Sequence, residues 1–221
     1  MIGRTLAATA LVLGVQAAPA AAAAIAPLKS CYVSAGEQEQ RRETIAVRGT
    51  GFTANSTVDI AVDGVVQVSG NADALGEFNA DAKAPHQPQG QRPFTVTVAE
   101  RGNPANVATA TSNVTALTVN LRPRRARPAR RVRFRGRGFT GEGAVYAHYL
   151  YGGRVRRSVR IARPQGDCGT FTVRRRQIPV RRPRTGDWTL QVDQRRDYSD
   201  APGTNWVRLL IKVRQFFRPV D

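Results

Sequence analysis

The chain has 221 residues, with 34 Lys and Arg against 16 Asp and Glu, a formal net charge of +18, two cysteines and two histidines. So few histidines and cysteines argue against a structural zinc cluster and against histidine-based hydrolysis. No stretch after residue 30 is apolar enough to span a bilayer, which leaves roughly 200 residues for one large or two ordinary domains.

The N-terminus reads as an export signal over residues 1–24. Arg4 supplies the positive start, Leu6 to Val15 the apolar run, and Ala18-Pro19-Ala20 with the following alanines the small-residue cleavage site, expected between Ala20 and Ala24. The alternative is an uncleaved anchor, because Thr5 to Leu28 carries no charge. Export would place the chain outside the cell or in the cell envelope, where conditions are oxidising. An even pair of cysteines, Cys31 and Cys168, then favours a disulfide joining the start of the mature chain to its second half. Two unpaired thiols are the alternative. A third is lipidation of Cys31, although Lys29 is wrong for a lipobox and the cysteine lies too far behind the apolar run.

Further along, the chain repeats itself. Ile45-Ala46-Val47-Arg48-Gly49-Thr50-Gly51-Phe52-Thr53 matches Val132-Arg133-Phe134-Arg135-Gly136-Arg137-Gly138-Phe139-Thr140. Four more landmarks follow in the same order: Val58 to Val62 with Val145 to Tyr149, Gly76-Glu77-Phe78 with Gly169-Thr170-Phe171, Phe94 to Val98 with Trp188 to Val192, and Val114 to Val119 with Val207 to Val213. Each alternates apolar and polar residues, the period of a half-buried strand, and Asp63-Gly64, Gly152-Gly153 and Pro202-Gly203 punctuate the gaps. No helical period stands out after residue 30. The expected fold is all-β: two tandem antiparallel sandwiches of about seven strands each, at residues 25–120 and 121–221. Between them, Pro123 and Pro128 interrupt an Arg-rich segment that is either a stiff linker or the first edge strand of the second unit.

The alternation also predicts the cores. Ile45, Val47, Val58, Ile60, Val62, Val96 and Val98 point into the first. Val132, Phe134, Val145, Ala147, Tyr149, Phe171, Leu190, Val192, Leu209 and Ile211 point into the second. The Gly-x-Gly-Phe corner turns the chain and drops Phe52 or Phe139 onto the end of its core. It is no phosphate loop, because no helix stands behind it.

Arg-Gly-x-Gly-Phe-Thr, a strand, a turn, Gly-x-Phe and an aromatic-Thr-aliphatic strand together resemble the bacterial immunoglobulin-like modules of IPT/TIG type found in secreted and surface proteins of G+C-rich Gram-positive bacteria. The resemblance covers nearly the whole mature chain. It implies a spacer, adhesion unit or binding platform, and it transfers no catalytic residue or cofactor.

Charge separates the two units. Residues 25–116 hold seven basic and nine acidic side chains, a net of −2, and residues 117–221 hold twenty-six and seven, a net of +19. Coding bias accounts for Arg over Lys but not for the confinement of charge to one half. Arg131, Arg133, Arg135 and Arg137 alternate along one strand and share a face, with Arg174 and Arg176 expected on the same sheet. Arg154, Arg156 and Arg160 form a second expected stripe with Tyr146 and His148, on the other sheet. Guanidinium groups grip phosphate and carboxylate, so the expected partner is an anionic envelope polymer or an anionic membrane surface. Exposed aromatics for base stacking are few, which argues against sequence-specific nucleic-acid binding.

The competing reading is a passive structural module acting through protein contacts. An enzyme is not expected: His86 has no evident partner, and His148 is expected on an outward, exposed face. Asp59 with Asp63 and Asp197 with Asp200 read as turn chemistry before they read as a calcium site. No metal or cofactor is expected.

Overall fold

Thr44–Thr50 buries every second side chain and exposes the rest, as a strand with one face on a core must. The computed structural model describes residues 22–201 and 205–214, and this period recurs through them. Among the described residues there is no α-helix, only one 3-10 turn at Glu39–Arg41. The expected signal segment lies outside the described residues except for its last three, and so do Pro202 and Gly203.

Eight strands come first: β1 (Ala24–Ile25), β2 (Cys31–Ser34), β3 (Thr44–Thr50), β4 (Thr57–Val62), β5 (Val65–Asn71), β6 (Phe78–Lys83), β7 (Gln91–Glu100) and β8 (Asn103–Ala116). They form a sheet of order β1-β3-β6 and a sheet of order β2-β8-β7-β4-β5. Seven follow: β9 (Thr118–Arg122), β10 (Arg131–Arg137), β11 (Val145–Tyr151), β12 (Arg154–Ala162), β13 (Phe171–Arg176), β14 (Gly186–Asp193) and β15 (Val207–Val213). Their sheets run β13-β10-β9 and β12-β11-β14-β15. The second pattern repeats the first strand for strand, apart from β2. Each half is an immunoglobulin-like sandwich, three strands facing four, with β2 added to the first.

β2 departs from the expected all-antiparallel sheets, because it runs parallel to β8, Cys31 opposite Asn113 and Ser34 opposite Ala116. All four of its residues are buried, so no alternation marked it in the sequence. β9 spans residue 120 and pairs with β10, Phe134 opposite Leu121, while Pro123 to Arg130 forms no strand. The fifth landmark of the repeat is displaced. Ser112, not Val114 or a later residue, stands opposite Phe94 as Ile211 stands opposite Trp188. Two apolar alternating runs align as well out of register as in it when read without partners.

Two hydrophobic interiors result. One contains Ile45, Val47, Val58, Ile60, Val62, Phe94, Val96 and Val98. The other contains Val132, Phe134, Val145, Ala147, Tyr149, Trp188, Leu190, Val192 and Ile211, with Leu209 partly buried against it. The Gly-x-Gly-Phe corner closes both in the same way. Gly49 lies opposite Phe78 and Gly136 opposite Phe171, and a Cβ on either glycine would overlap the facing ring. Gly51 and Gly138 have φ of 80° and 86°, conformations that glycine adopts without strain. Phe52 then packs on Phe78 and Phe139 on Phe171, ring centroids 5.4 and 5.3 Å apart. Asp63-Gly64 and Gly152-Gly153, all with positive φ, close two-residue hairpins between β4 and β5 and between β11 and β12.

Candidate functional site

On β10 the core takes Val132 and Phe134, so Arg131, Arg133, Arg135 and Arg137 stand on the outer face. The pairing register extends this face across the sheet. Arg176 stands opposite Arg131, and Arg174 opposite Arg133. On the other flank Arg122 of β9 also stands opposite Arg133. The remaining outer positions are Thr172, Asn120 and Thr118, opposite Arg135 or Arg137. Seven guanidinium groups therefore share a three-stranded face that carries no acid. Along β10 they repeat at about 6.7 Å, and neighbouring strands lie about 4.8 Å apart. Among the described residues none of the seven has an ion-pair partner. Like charges directly opposite across a sheet destabilise it by roughly 0.2–1 kcal/mol per pair, a cost that a bound anion would remove. Arg122 escaped the sequence pattern because its place on this face depends on the β9–β10 pairing.

The second stripe does not form as expected. Arg160 shares the outer face with Tyr146, but Arg156 is the extra residue in a β-bulge, between the pairs Tyr149–Arg157 and Leu150–Val155. The bulge inverts the alternation. Val155 takes the outer row and Arg154 falls opposite Tyr151, in the row that faces the core. All three arginines are exposed on an edge strand, but they do not line one row.

His148 lies on the outer face but is not exposed: its relative exposure is 0%. The stretch 194–201 covers it, and Tyr198 packs edge-on against its ring at 6.0 Å. Nε2 lies 3.3 Å from Asp193 Oδ1 and 3.2 Å from the Arg195 carbonyl, two acceptors that place the proton on this nitrogen. Nδ1 then accepts from Ser158 Oγ at 2.8 Å. Gln191, also fully buried, donates to Asp193 Oδ2 and to the Ser199 carbonyl, and accepts from Arg208 Nε. Burial alone would raise the Asp193 pKa. The hydrogen bonds from His148, Gln191 and the Arg195 amide outweigh it and hold the carboxyl below its ordinary value. Chemically this is a Ser–His–Asp relay with the serine at its solvent end. Structurally it ties the 194–201 segment to the sheet.

The remaining candidates are satisfied locally. Asp59 is held by Arg101 at 2.6 Å and Asp63 by Arg92 at 2.8 Å, while Asp200 faces Arg208 at 3.5 Å. His86, expected without a partner, places Nδ1 3.2 Å from the Gly36 carbonyl. Among the described residues no three His, Cys, Asp or Glu side chains gather as a metal site would require. Cys31 and Cys168 form a disulfide, Cα atoms 5.3 Å apart.

No protein-family model and no curated protein matches the chain. Among solved structures, part of a bacterial ice-binding adhesin studied for host cell surface retention overlays with a TM-score of 0.30 at 12% identity, over 86% of this chain and 62% of that one. The fibronectin(III)-like modules of Clostridium thermocellum CbhA give 0.27 at 13%, over 87% and 94%, and bovine butyrophilin gives 0.31 at 11%, over 88% and 100%. Likenesses this distant carry no weight beside the sheet topology itself, which defines the fold.

Proposed function

We propose that this is an exported, non-enzymatic binding protein of the cell envelope, a tandem immunoglobulin-like module of IPT/TIG type. Its second sandwich associates electrostatically with an anionic envelope polymer or an anionic membrane surface. The first sandwich is a near-neutral spacer.

The observation that carries this reading is the outer face of β9, β10 and β13, with seven arginines, no acid and like charges directly opposite one another. A flat array of this kind suits a polymer or a surface with repeated charges better than a small molecule, which sites of pronounced concavity hold. The Cys31–Cys168 disulfide supports export to an oxidising compartment. Among the described residues no helix is long and apolar enough to cross a membrane.

The test is retention of the full chain on immobilised poly(glycerol phosphate) and on vesicles containing phosphatidylglycerol. Retention should fall steeply as salt rises, with a slope set by the number of phosphates engaged. Arg131→Glu combined with Arg133→Glu and Arg174→Glu should abolish it, while Arg154→Glu with Arg156→Glu should weaken it only slightly. Equal retention of the first variant would leave the passive spacer reading in its place. Labelling of Ser158 by a serine-directed fluorophosphonate would overturn the non-enzymatic half of the proposal.

A further inference from the structure

The two sandwiches differ at one edge. In the first, the far side of β8 is covered by β2, which adds to it as a parallel strand. In the second, β15 takes the place of β8, and among the described residues no strand lies beyond it. The stretch that follows β9 would occupy that place, but it is tied elsewhere. The Gln177 amide donates to the Arg130 carbonyl and the Ile178 amide to the Pro128 carbonyl, both at 2.9 Å, and Gln177 Nε2 donates to the Arg124 carbonyl at 3.0 Å. The result is a groove of about 720 Å³ between this stretch and β15. Its floor includes Leu121, Ile211 and Val213, and its rim carries Arg124, Arg125, Lys212 and Arg214. No acid lines it.

We propose that this groove is a strand-acceptor site for an extended, acidic segment of a partner protein. Three features define the occupant. The open edge of β15 offers main-chain groups that only another extended chain can pair continuously. The apolar floor of Leu121, Ile211 and Val213 calls for an apolar side chain at every second position, the period at which a strand presents one face. The cations that line the groove, Arg124, Arg125, Lys212 and Arg214 among them, call for acidic residues at the intervening positions. This site is separate from the arginine face of β10, and it selects for a backbone as well as for charge.

The probe is a fluorescent heptapeptide alternating glutamate with valine, titrated into the full chain and followed by polarisation. It is compared with the same peptide N-methylated at alternate amides and with a lysine–valine counterpart. The unmethylated acidic peptide should bind, and either change should weaken it about tenfold or more. Lys212→Glu with Arg214→Glu should do the same, whereas Arg131→Glu with Arg133→Glu should leave binding unchanged. Amide chemical shifts should move along Val207–Val213. Equal binding of the methylated peptide would overturn the proposal, as would an equal loss in the β10 variant, since either would reduce the site to charge alone. A dimer in analytical ultracentrifugation that Lys212→Glu disrupts would assign the edge to a second copy. Peptide binding that appears only when the chain is ended at Arg214 would assign it to the chain's own last residues. Both outcomes would overturn it too.

Discussion

Tyr32 and Val33 are neighbours in β2, yet they bury themselves in different hydrophobic interiors, Tyr32 in the first sandwich and Val33 in the second. Tyr32 meets Phe94 edge-on at 5.8 Å. Val33 joins the cluster of Leu117, Val119 and Phe134, at 1% exposure. A strand sends successive side chains to opposite sides, so a strand lying between two cores serves both. Trp206 adds a second tie, stacked between Arg41 at 4.3 Å and Arg208 at 4.2 Å. The two sandwiches are therefore coupled through packing as well as through the disulfide.

Val33→Ala tests this coupling. Losing two buried methyl groups costs about 1–2 kcal/mol. Trp188 lies in the second core and Trp206 between the two sandwiches, so tryptophan fluorescence reports the second sandwich and the junction, while far-ultraviolet circular dichroism reports both sandwiches. The two signals should shift together in urea. If circular dichroism instead resolves two steps, only one of which moves with the fluorescence, the sandwiches unfold as independent units.

The bridge between Cys31 and Cys168 closes a sequence separation of 137 residues. Constraining an unfolded loop of this size is worth about 4–5 kcal/mol in the chain-entropy account, and commonly less in practice. Both cysteines are buried, at 0% and 5% exposure. Dithiothreitol should therefore leave the native protein oxidised and reduce it once urea opens the fold, as thiol counting by mass would record. Cys31→Ser with Cys168→Ser should lower the urea midpoint. An unchanged midpoint would mean that Tyr32, Val33 and Trp206 hold the arrangement unaided.

How far the sequence foretold this structure depends on what each signal measures. The Gly-x-Gly-Phe corner was legible because every residue in it has a local reason, and both copies obey it. The row Arg131, Arg133, Arg135 and Arg137 was legible because a two-residue period fixes faces. That period does not say what covers a face. His148 and Asp193 point away from the core, as their positions require, but a segment with no period of its own, 194–201, folds over them. Nor does it reveal a bulge, since the extra residue at Arg156 shows only against its partner strand. β2 stayed hidden because burial on both sides erases alternation.

Tyr149 offers a test of the second core. Its ring is fully buried, and among the described residues its hydroxyl has no hydrogen-bond partner. Burial pushes the phenol above its usual range, which keeps it neutral. An unpaired buried hydroxyl costs about 1–3 kcal/mol, so Tyr149→Phe should raise stability by about 1 kcal/mol in urea unfolding. A loss of stability would reveal a partner for the hydroxyl in solution.

Asp193 sets a pH dependence. Its folded pKa is depressed, and its unfolded value lies near the ordinary carboxylate figure of about 3.9. Its contribution is therefore present above the unfolded value and is lost as pH falls through the folded one. Asp193→Asn should lower stability at pH 6 and flatten the acid limb as pH falls below the ordinary carboxylate range. A limb of unchanged slope would move the acid sensitivity to other carboxylates.

The last prediction concerns the corner that both sandwiches share. A Cβ at Gly136 would overlap the ring of Phe171, which is itself pinned against Phe139. Phe171 is buried, and the 3.1 Å bond from the Phe139 amide to the Gly169 carbonyl ties the chain just before it to the Phe139 corner. Overpacking of this kind costs about 1–3 kcal/mol. Gly136→Ala should therefore lower stability in urea unfolding by that much, and Gly49→Ala should do the same through Phe78. Gly70 lies in β5 with open space where a Cβ would stand and no positive φ, so Gly70→Ala serves as the control and should be neutral or slightly stabilising. If Phe171→Leu restores the stability of Gly136→Ala, the cost lies in the ring; if it does not, the glycine answers to the backbone of β10 itself.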